Sequence, residues 1–268
     1  MTEFTCDNGQ CVSIYYRCDN SYQCFDKSDE RKCHQFLLSR PYYREIPPSV
    51  RDPITGKLHT KLNISIEVLV IDKVDFVNSL TEITYIITIY WKDSKVSYLN
   101  LIDNSIVEYS VKDLTSAENV IWNPLEKLIH SNSIVGSIIT EEDSKELSVT
   151  VHNEIDPFDP GNSFEEAIYK GVTGKLAIHM KQRGTFDCTF DLFRFPFNHQ
   201  TCAYKFKLKD VSDRHIVFVS SNNSVTYSGV RILENFEVVR WFSCSRDLKN
   251  GSEFSFYIMF HYLYYQGN

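Results

Sequence analysis

The sequence holds no run of eighteen apolar residues, so none of its 268 residues reads as part of a membrane-spanning helix. No apolar spacing of three and four residues is sustained, which argues against a helical bundle. A basic block is also missing: the net charge of −7 is spread along the chain, whereas a surface that binds nucleic acid needs clustered lysine and arginine. There is no G-x-S-x-G, no H-E-x-x-H and no glycine-rich phosphate loop, and the eight histidines are scattered. Catalysis therefore has no visible nucleophile, base or metal centre. Met1 leads directly into polar residues and a cysteine rather than into an apolar leader, so the chain reads as an excerpt of a longer precursor.

What is present is uneven. Five of eight cysteines (Cys6, Cys11, Cys18, Cys24, Cys33) crowd the first 33 residues, and Cys188, Cys202 and Cys244 follow far behind. A chain of this length can bury a core without staples, so the split marks a small disulfide-dependent module ahead of a larger one. Three N-x-[ST] sequons, at Asn63, Asn222 and Asn250, agree with an oxidising, secreted setting.

Residues 1–34 have few aliphatic side chains and many turn formers, so disulfides or a metal must substitute for a core. Residues 35–60 contain "FLLSRPYY", read as a short helix or turn, and the proline-rich linker "EIPPSVRDPITG". From Lys61 to Asn268 the period is two. Leu62, Ile64, Ile66, Val68 and Val70 share one face of the first strand; Ile83, Tyr85, Ile87, Ile89 and Trp91 share one face of the next, with Ile86 opposite. "KLAIHM", "CAYKFKL", "HIVFVS" and "EFSFYIMFHYLYY" alternate likewise, which predicts an all-β sandwich or barrel. The acidic, turn-rich stretch from Glu141 to Tyr169 reads as a long solvated loop or a lid.

In the small module, acids at Asp19, Asp26, Asp29 and Glu30 are locked between cysteines, and a hard cation such as Ca2+ would offset their repulsion. The pattern C-x4-C-V-x5-R-C-D-x4-C-x-D-x-S-D-E-x2-C resembles a low-density-lipoprotein-receptor class A repeat. That resemblance implies calcium held by Asp19, Asp29 and Glu30 with the backbone carbonyls of Tyr16 and Ser21. Gln23 stands where the family usually has a fourth acid, which implies weaker binding. It also implies Cys6–Cys24 and Cys18–Cys33 disulfides, with Cys11 unpaired because the family's first cysteine is missing.

"CTFDLFRFPFNHQTC" sets thirteen residues between Cys188 and Cys202, around an aromatic tip, Phe195-Pro196-Phe197, followed by Asn198. Closing such a hairpin removes roughly 3 kcal/mol of unfolded-state entropy, a poor reason to staple a chain this large. An apolar tip with a fixed φ, and an X-Pro bond able to be cis, is costly in water unless it docks on something. The loop resembles the signature of the Cys-loop pentameric ligand-gated ion channels. The likeness includes "VIDKVDF", Trp91-Lys92-Asp93, Trp122-Asn123-Pro124 and "FEVV", in that family's order. It implies a ten-stranded immunoglobulin-like sandwich, assembly as a homo- or hetero-pentamer on the extracellular side of a membrane, and a stapled hairpin that presses on a pore domain. Asn198 replaces the acid usual after F-P-F.

By position, that resemblance places ligand contacts at Ile86, Ile129 and Lys209 and in the capping hairpin with Arg246 and Lys249. None is aromatic, so the ring-lined box that holds an ammonium is absent. Two readings remain: Lys209, Arg246 and Lys249 favour an anionic or polar small molecule, or partner subunits supply the ligand site. Trp91 and Trp122 read as core, and Cys244 as free, paired within the sandwich, or bonded to another chain. A secreted, channel-less binder resembling the soluble acetylcholine-binding proteins is the rival; an adhesion protein working through the amino-terminal repeat is a third reading.

Overall fold

The computed structural model describes residues 3–31, 33, 36–51, 56, 58–99, 109–110, 121–141, 144–151, 168–171, 174–209, 216–221, 223–248 and 251–263. Their regular structure is almost all β-strand, with only short 3-10 turns, and the two facing sheets of a sandwich lie in the second of two compact units. Two compact units can be separated: Met1–Arg51 with Trp91–Trp122 and Glu146–Ala177, and Asp52–Tyr90 with Asn123–Lys145 and Ile178–Asn268.

The second unit contains β1 (Leu58–Asp75), β2 (Leu80–Trp91, up to Tyr90), β3 (Leu128–His130), β4 (Ile139–Thr140), β5 (Gly174–Asp187, from Ile178), β6 (His199–Leu208), β7 (Ile216–Val219), β8 (Val225–Tyr227), β9 (Phe236–Leu248) and β10 (Gly251–Tyr262). In one sheet β1 pairs antiparallel with β2 and parallel with β7 and β8, and β5 lies beyond β2 with β4 on it. The other sheet runs β9-β10-β6-β3, antiparallel throughout. Alternation decides the core. Ile64, Ile66, Ile83, Tyr85 and Ile87 from one sheet, and Tyr204, Phe206, Phe254, Phe256 and Ile258 from the other, are all buried. Tyr85 meets Phe206 edge-on at 6.1 Å and Phe186 meets Tyr204 at 5.0 Å, which locks the two sheets face to face.

Strict alternation fails at one predicted core position. Val70 is 48% exposed, because the β1–β2 register shifts between Val68 and Val70. The extra residue turns Val70 outward and brings Ile71 in, at 5% exposure.

In the first unit, Glu3–Thr5 and Cys11–Ser13 form a hairpin, and a minimal core of Phe4, Cys6 and Cys24 is lined by Val12 and Ile14. Where the sequence suggests a helix or turn, Phe36–Leu38 is a strand, pairing with Val96–Leu99, which in turn pairs with Ile168–Lys170. Its Phe36 packs edge-on against Tyr98 at 5.5 Å, a contact that rewards extension over helix. The stretch read as a solvated loop from Glu141 contains the strand Glu146–Val151, paired with Tyr109–Ser110. Leu147 and Val149 are buried there, an alternation masked in the sequence by acidic flanks. Residues 152–167 of that stretch lie outside the described residues.

Tyr42 ties the two tryptophan motifs of this unit together. Its hydroxyl donates to Asp93 Oδ2 at 2.8 Å and accepts from the Trp122 backbone N–H at 3.0 Å. Trp91 and Trp122 are fully buried, edge to face at 6.1 Å. Both are core residues, and the aspartate of W-x-D is the acceptor that keeps the Tyr42 hydroxyl satisfied.

Candidate functional site

The base of the second unit is an aromatic lock. The tight turn after β1 places Phe76 on Phe190 (4.2 Å, stacked) and on Phe236 at the head of β9 (4.8 Å, stacked). Phe195 turns inward to meet Phe76 at 5.5 Å and Tyr262, at the end of β10, at 4.9 Å. Phe236 closes the ring on Tyr262 at 5.3 Å. The Cys188 N–H donates to Ser79 O at 2.8 Å, a second tie between the stapled hairpin and the β1–β2 turn.

Cys188 and Cys202 are bonded to each other, and the Phe195–Pro196 peptide is cis. Inside the hairpin the neck is held by amides. Gln200, 2% exposed, accepts from the Asp191 N–H at 2.8 Å and donates to the Asp191 carbonyl at 2.7 Å. Asn198 donates to that same carbonyl at 2.8 Å, and its own oxygen accepts from Gln200 Nε2 at 2.8 Å. Asn198 thus makes one bond as donor, which a carboxylate cannot do. The tip is left in water: Phe193 is 90% and Phe197 83% exposed, beside Leu192. Val77, on the neighbouring turn, is 93% exposed. Phe76, Phe190, Phe236, Tyr262 and Asp191 escape sequence reasoning. The available signals were the phenylalanine ending "VIDKVDF", the one opening "FEVV", and Phe190-Asp191 inside the stapled stretch.

The positions tied to ligand contact separate into two groups. Ile86 stands on the outward face of β2, opposite Glu67 of β1. Arg246 is opposite Glu253, Lys207 forms an ion pair with Glu253 at 3.0 Å, and Ile129 is opposite Lys207. Ile129 and Arg246 therefore lie in one cross-strand row on the outward face of the other sheet. Lys209 is exposed just past β6, its N–H bonded to Lys127 O at 2.7 Å. Within one chain Ile86 is not brought to the others. Leu248 pairs with Gly251 at the end of β9 and the start of β10, and the capping hairpin's Lys249 and Asn250 follow Leu248 in the sequence. These two and Asn222 lie outside the described residues, while Asn63 is exposed on β1. Cys244 is a free thiol on the outward face of β9, 3.8 Å from the Tyr257 hydroxyl.

The small module has disulfides Cys6–Cys24 and Cys18–Cys33 and a free, exposed Cys11. Cys6, Cys24 and Asp26 cluster, but those two sulfurs are bonded to each other and cannot ligate. The acid-rich loop fits calcium better. Asp29 Oδ1, Glu30 Oε1 and Gln23 Oε1 are buried acceptors with no hydrogen-bond partner, the kind of orphan oxygen that a hard cation satisfies. Asp29 is fully buried, its other oxygen accepting from the Gln23 and Cys24 N–H groups. Asp19 accepts from the Ser21 N–H and from Gln23 Nε2. Cys18 and Asn20, either side of Asp19, adopt left-handed φ of 66°, which wraps the backbone around the acids. Burial, then the charges of Asp19 and Asp29, push the Glu30 carboxyl up, although the N–H groups of Asn20 and Asp19 oppose this.

Comparison with known families gives two matches. Residues 1–33 match the low-density lipoprotein receptor domain class A. Residues 30–241 match the neurotransmitter-gated ion-channel ligand binding domain. A hairpin stapled between Cys188 and Cys202, wedged by aromatics at the base of a two-sheet sandwich, stands within most of the chain covered by that second match, and the chain belongs to the neurotransmitter-gated ion-channel ligand binding domain family.

Proposed function

We propose that this chain is the extracellular domain of a subunit of a pentameric ligand-gated ion channel. Ligand occupancy between neighbouring subunits is passed to a membrane pore through the Cys188–Cys202 hairpin. The observation that carries the reading is the contrast at the base. Phe190 is held by Phe76, and Phe195 by Phe76 and Tyr262, while Phe193, Phe197 and Val77 stand in water at the same end. A rigid neck below an apolar tip is a lever in need of a surface. The ligand is a small molecule other than one held by an aromatic box, since Ile86, Ile129 and Lys209 occupy the contact positions. The exposed cations Lys209 and Arg246, with Lys249, favour a polar or anionic one if this subunit's own faces bind it; in a hetero-pentamer the partners supply it. The amino-terminal module holds Ca2+ through Asp19, Gln23, Asp29 and Glu30 and the carbonyls of Tyr16 and Ser21.

Light scattering and class averages of the glycosylated chain in millimolar calcium test the assembly: five chains per particle support it, and a stable monomer counts against it. Surface labelling of cells expressing the full-length product separates channel from rival. Retention at the membrane supports the pore reading, and release of intact rings into the medium favours the secreted binder.

A further inference from the structure

Strands β9, β10 and β6 lie side by side, and their registers put Glu237 opposite His261 and His261 opposite His199. The row next to it, Val238, Phe260 and Gln200, is buried in the sandwich, so alternation turns the Glu237-His261-His199 row to the outward face. Directly opposed residues on antiparallel strands have Cβ atoms about 5 Å apart. Imidazole, imidazole and carboxylate therefore stand next to one another on three strands.

We propose that His199, His261 and Glu237 bind a divalent transition metal, Zn2+ being the ion that fits. The imidazole centroids are 5.1 Å apart. Two rings bound through Zn–N bonds of about 2.0–2.1 Å to one tetrahedral ion have their centres about 5 Å apart, so the pair is already at bridging separation. His261 Nδ1 is buried without a hydrogen-bond partner, an unusual cost for a ring nitrogen at the edge of solvent. No third donor atom has converged on the pair among the described residues. Glu237 closes the third position by rotating its side chain, and water completes the tetrahedron. Imidazole nitrogen suits zinc, whereas calcium prefers an all-oxygen shell, so this site and the acid-rich loop of the small module select different ions.

Each of the three residues adjoins part of the base: Glu237 follows Phe236, His261 precedes Tyr262, and His199 follows Asn198. A bound ion ties β9, β10 and β6 together where they grip the stapled hairpin.

The test is a Zn2+ titration by calorimetry on the glycosylated chain, stripped of transition metals and kept in millimolar calcium. The expected result is one Zn2+ per chain, weakened at least about tenfold in His199→Gln and in His261→Gln, the scale at which even outer-shell losses weaken zinc sites. Glu237→Gln weakens it less, and His199→Cys, which keeps a zinc ligand, restores what His199→Gln loses. Substituted Co2+ gives tetrahedral visible absorption in the unaltered chain, a readout independent of any variant. Absence of that absorption, or Zn2+ affinity unchanged in both histidine variants, overturns the proposal. Neither measurement needs a ligand or a pore, so either result leaves the channel reading standing.

Discussion

The ring of Phe76 lies on that of Phe190 with centroids 4.2 Å apart and planes 30° from parallel. One residue belongs to the β1–β2 turn and the other to the stapled hairpin, so the stack makes two separate loops move as one body. Phe76→Ala removes this contact together with those to Phe236 and Phe195. The expected loss is about 2 kcal/mol, read by denaturant unfolding with the disulfide intact. Val77→Ala, at a 93% exposed position of the same turn, leaves stability unchanged.

Asn198 tests whether the neck needs an amide. Asn198→Asp deletes the donor to the Asp191 carbonyl while retaining an acceptor for Gln200. A loss of about 1 kcal/mol is expected, measured by thermal unfolding, with Asn198→Gln no better because its longer side chain misses the carbonyl.

Tyr42→Phe leaves Asp93 Oδ2 and the Trp122 N–H without the hydroxyl that serves both. Removing one partner from two buried polar groups costs about 2 kcal/mol. Asp93→Asn in the same background recovers part of it if the stranded carboxylate is the larger penalty, and a double-mutant cycle reads the coupling.

Gln23→Asp supplies the charge missing from the acid-rich loop of the small module. Calcium affinity rises, on the order of tenfold, and Asp29→Asn lowers it, both followed by calorimetry. Chelation of calcium exposes the amides of residues 14–31 to hydrogen exchange, because Asp29, Glu30 and Gln23 then keep buried oxygens unsatisfied.

His130 gives the fold a pH dependence. Burial pushes its imidazole down to about 4, against an ordinary value of 6.5. Its Nε2 lies 2.7 Å from the Tyr85 hydroxyl, which donates to Gln182, and it is burial that holds the ring neutral. Between pH 4 and 6.5 the unfolded chain takes up the proton that the folded one refuses. Stability therefore falls as pH drops through this window and is flat above it. The part due to this half-buried ring is about 2 kcal/mol at the acid end, read as the difference between the unaltered chain and His130→Gln.

Much of the sandwich is legible in the chain, because a strand buried on one face repeats every two residues. Ile83, Tyr85, Ile87, Ile89 and Trp91 declare their face by spacing alone, and all five are buried. Val70 misleads, since a bulge is set by the register of two strands and leaves no mark in either one. Phe36–Leu38 misleads for a related reason: three apolar residues carry no period, and pairing with Val96–Leu99 decides their conformation.

The sites divide the same way. The stapled hairpin, its F-P-F tip and the acids between cysteines are short-range patterns, so the sequence by itself determined that a stapled aromatic loop and an acid-rich loop exist. Which side chains hold them was decided by the tertiary structure. Phe76 reaches Phe190 and Phe195, Tyr262 reaches Phe195, and Phe236 joins Phe76 to Tyr262, all from segments far from the hairpin in the chain, and Glu237, His261 and His199 become neighbours only through strand register. Spacing along a chain encodes which face a residue takes. It does not encode which other strand lies opposite, because that choice is made by the packing of the whole sheet.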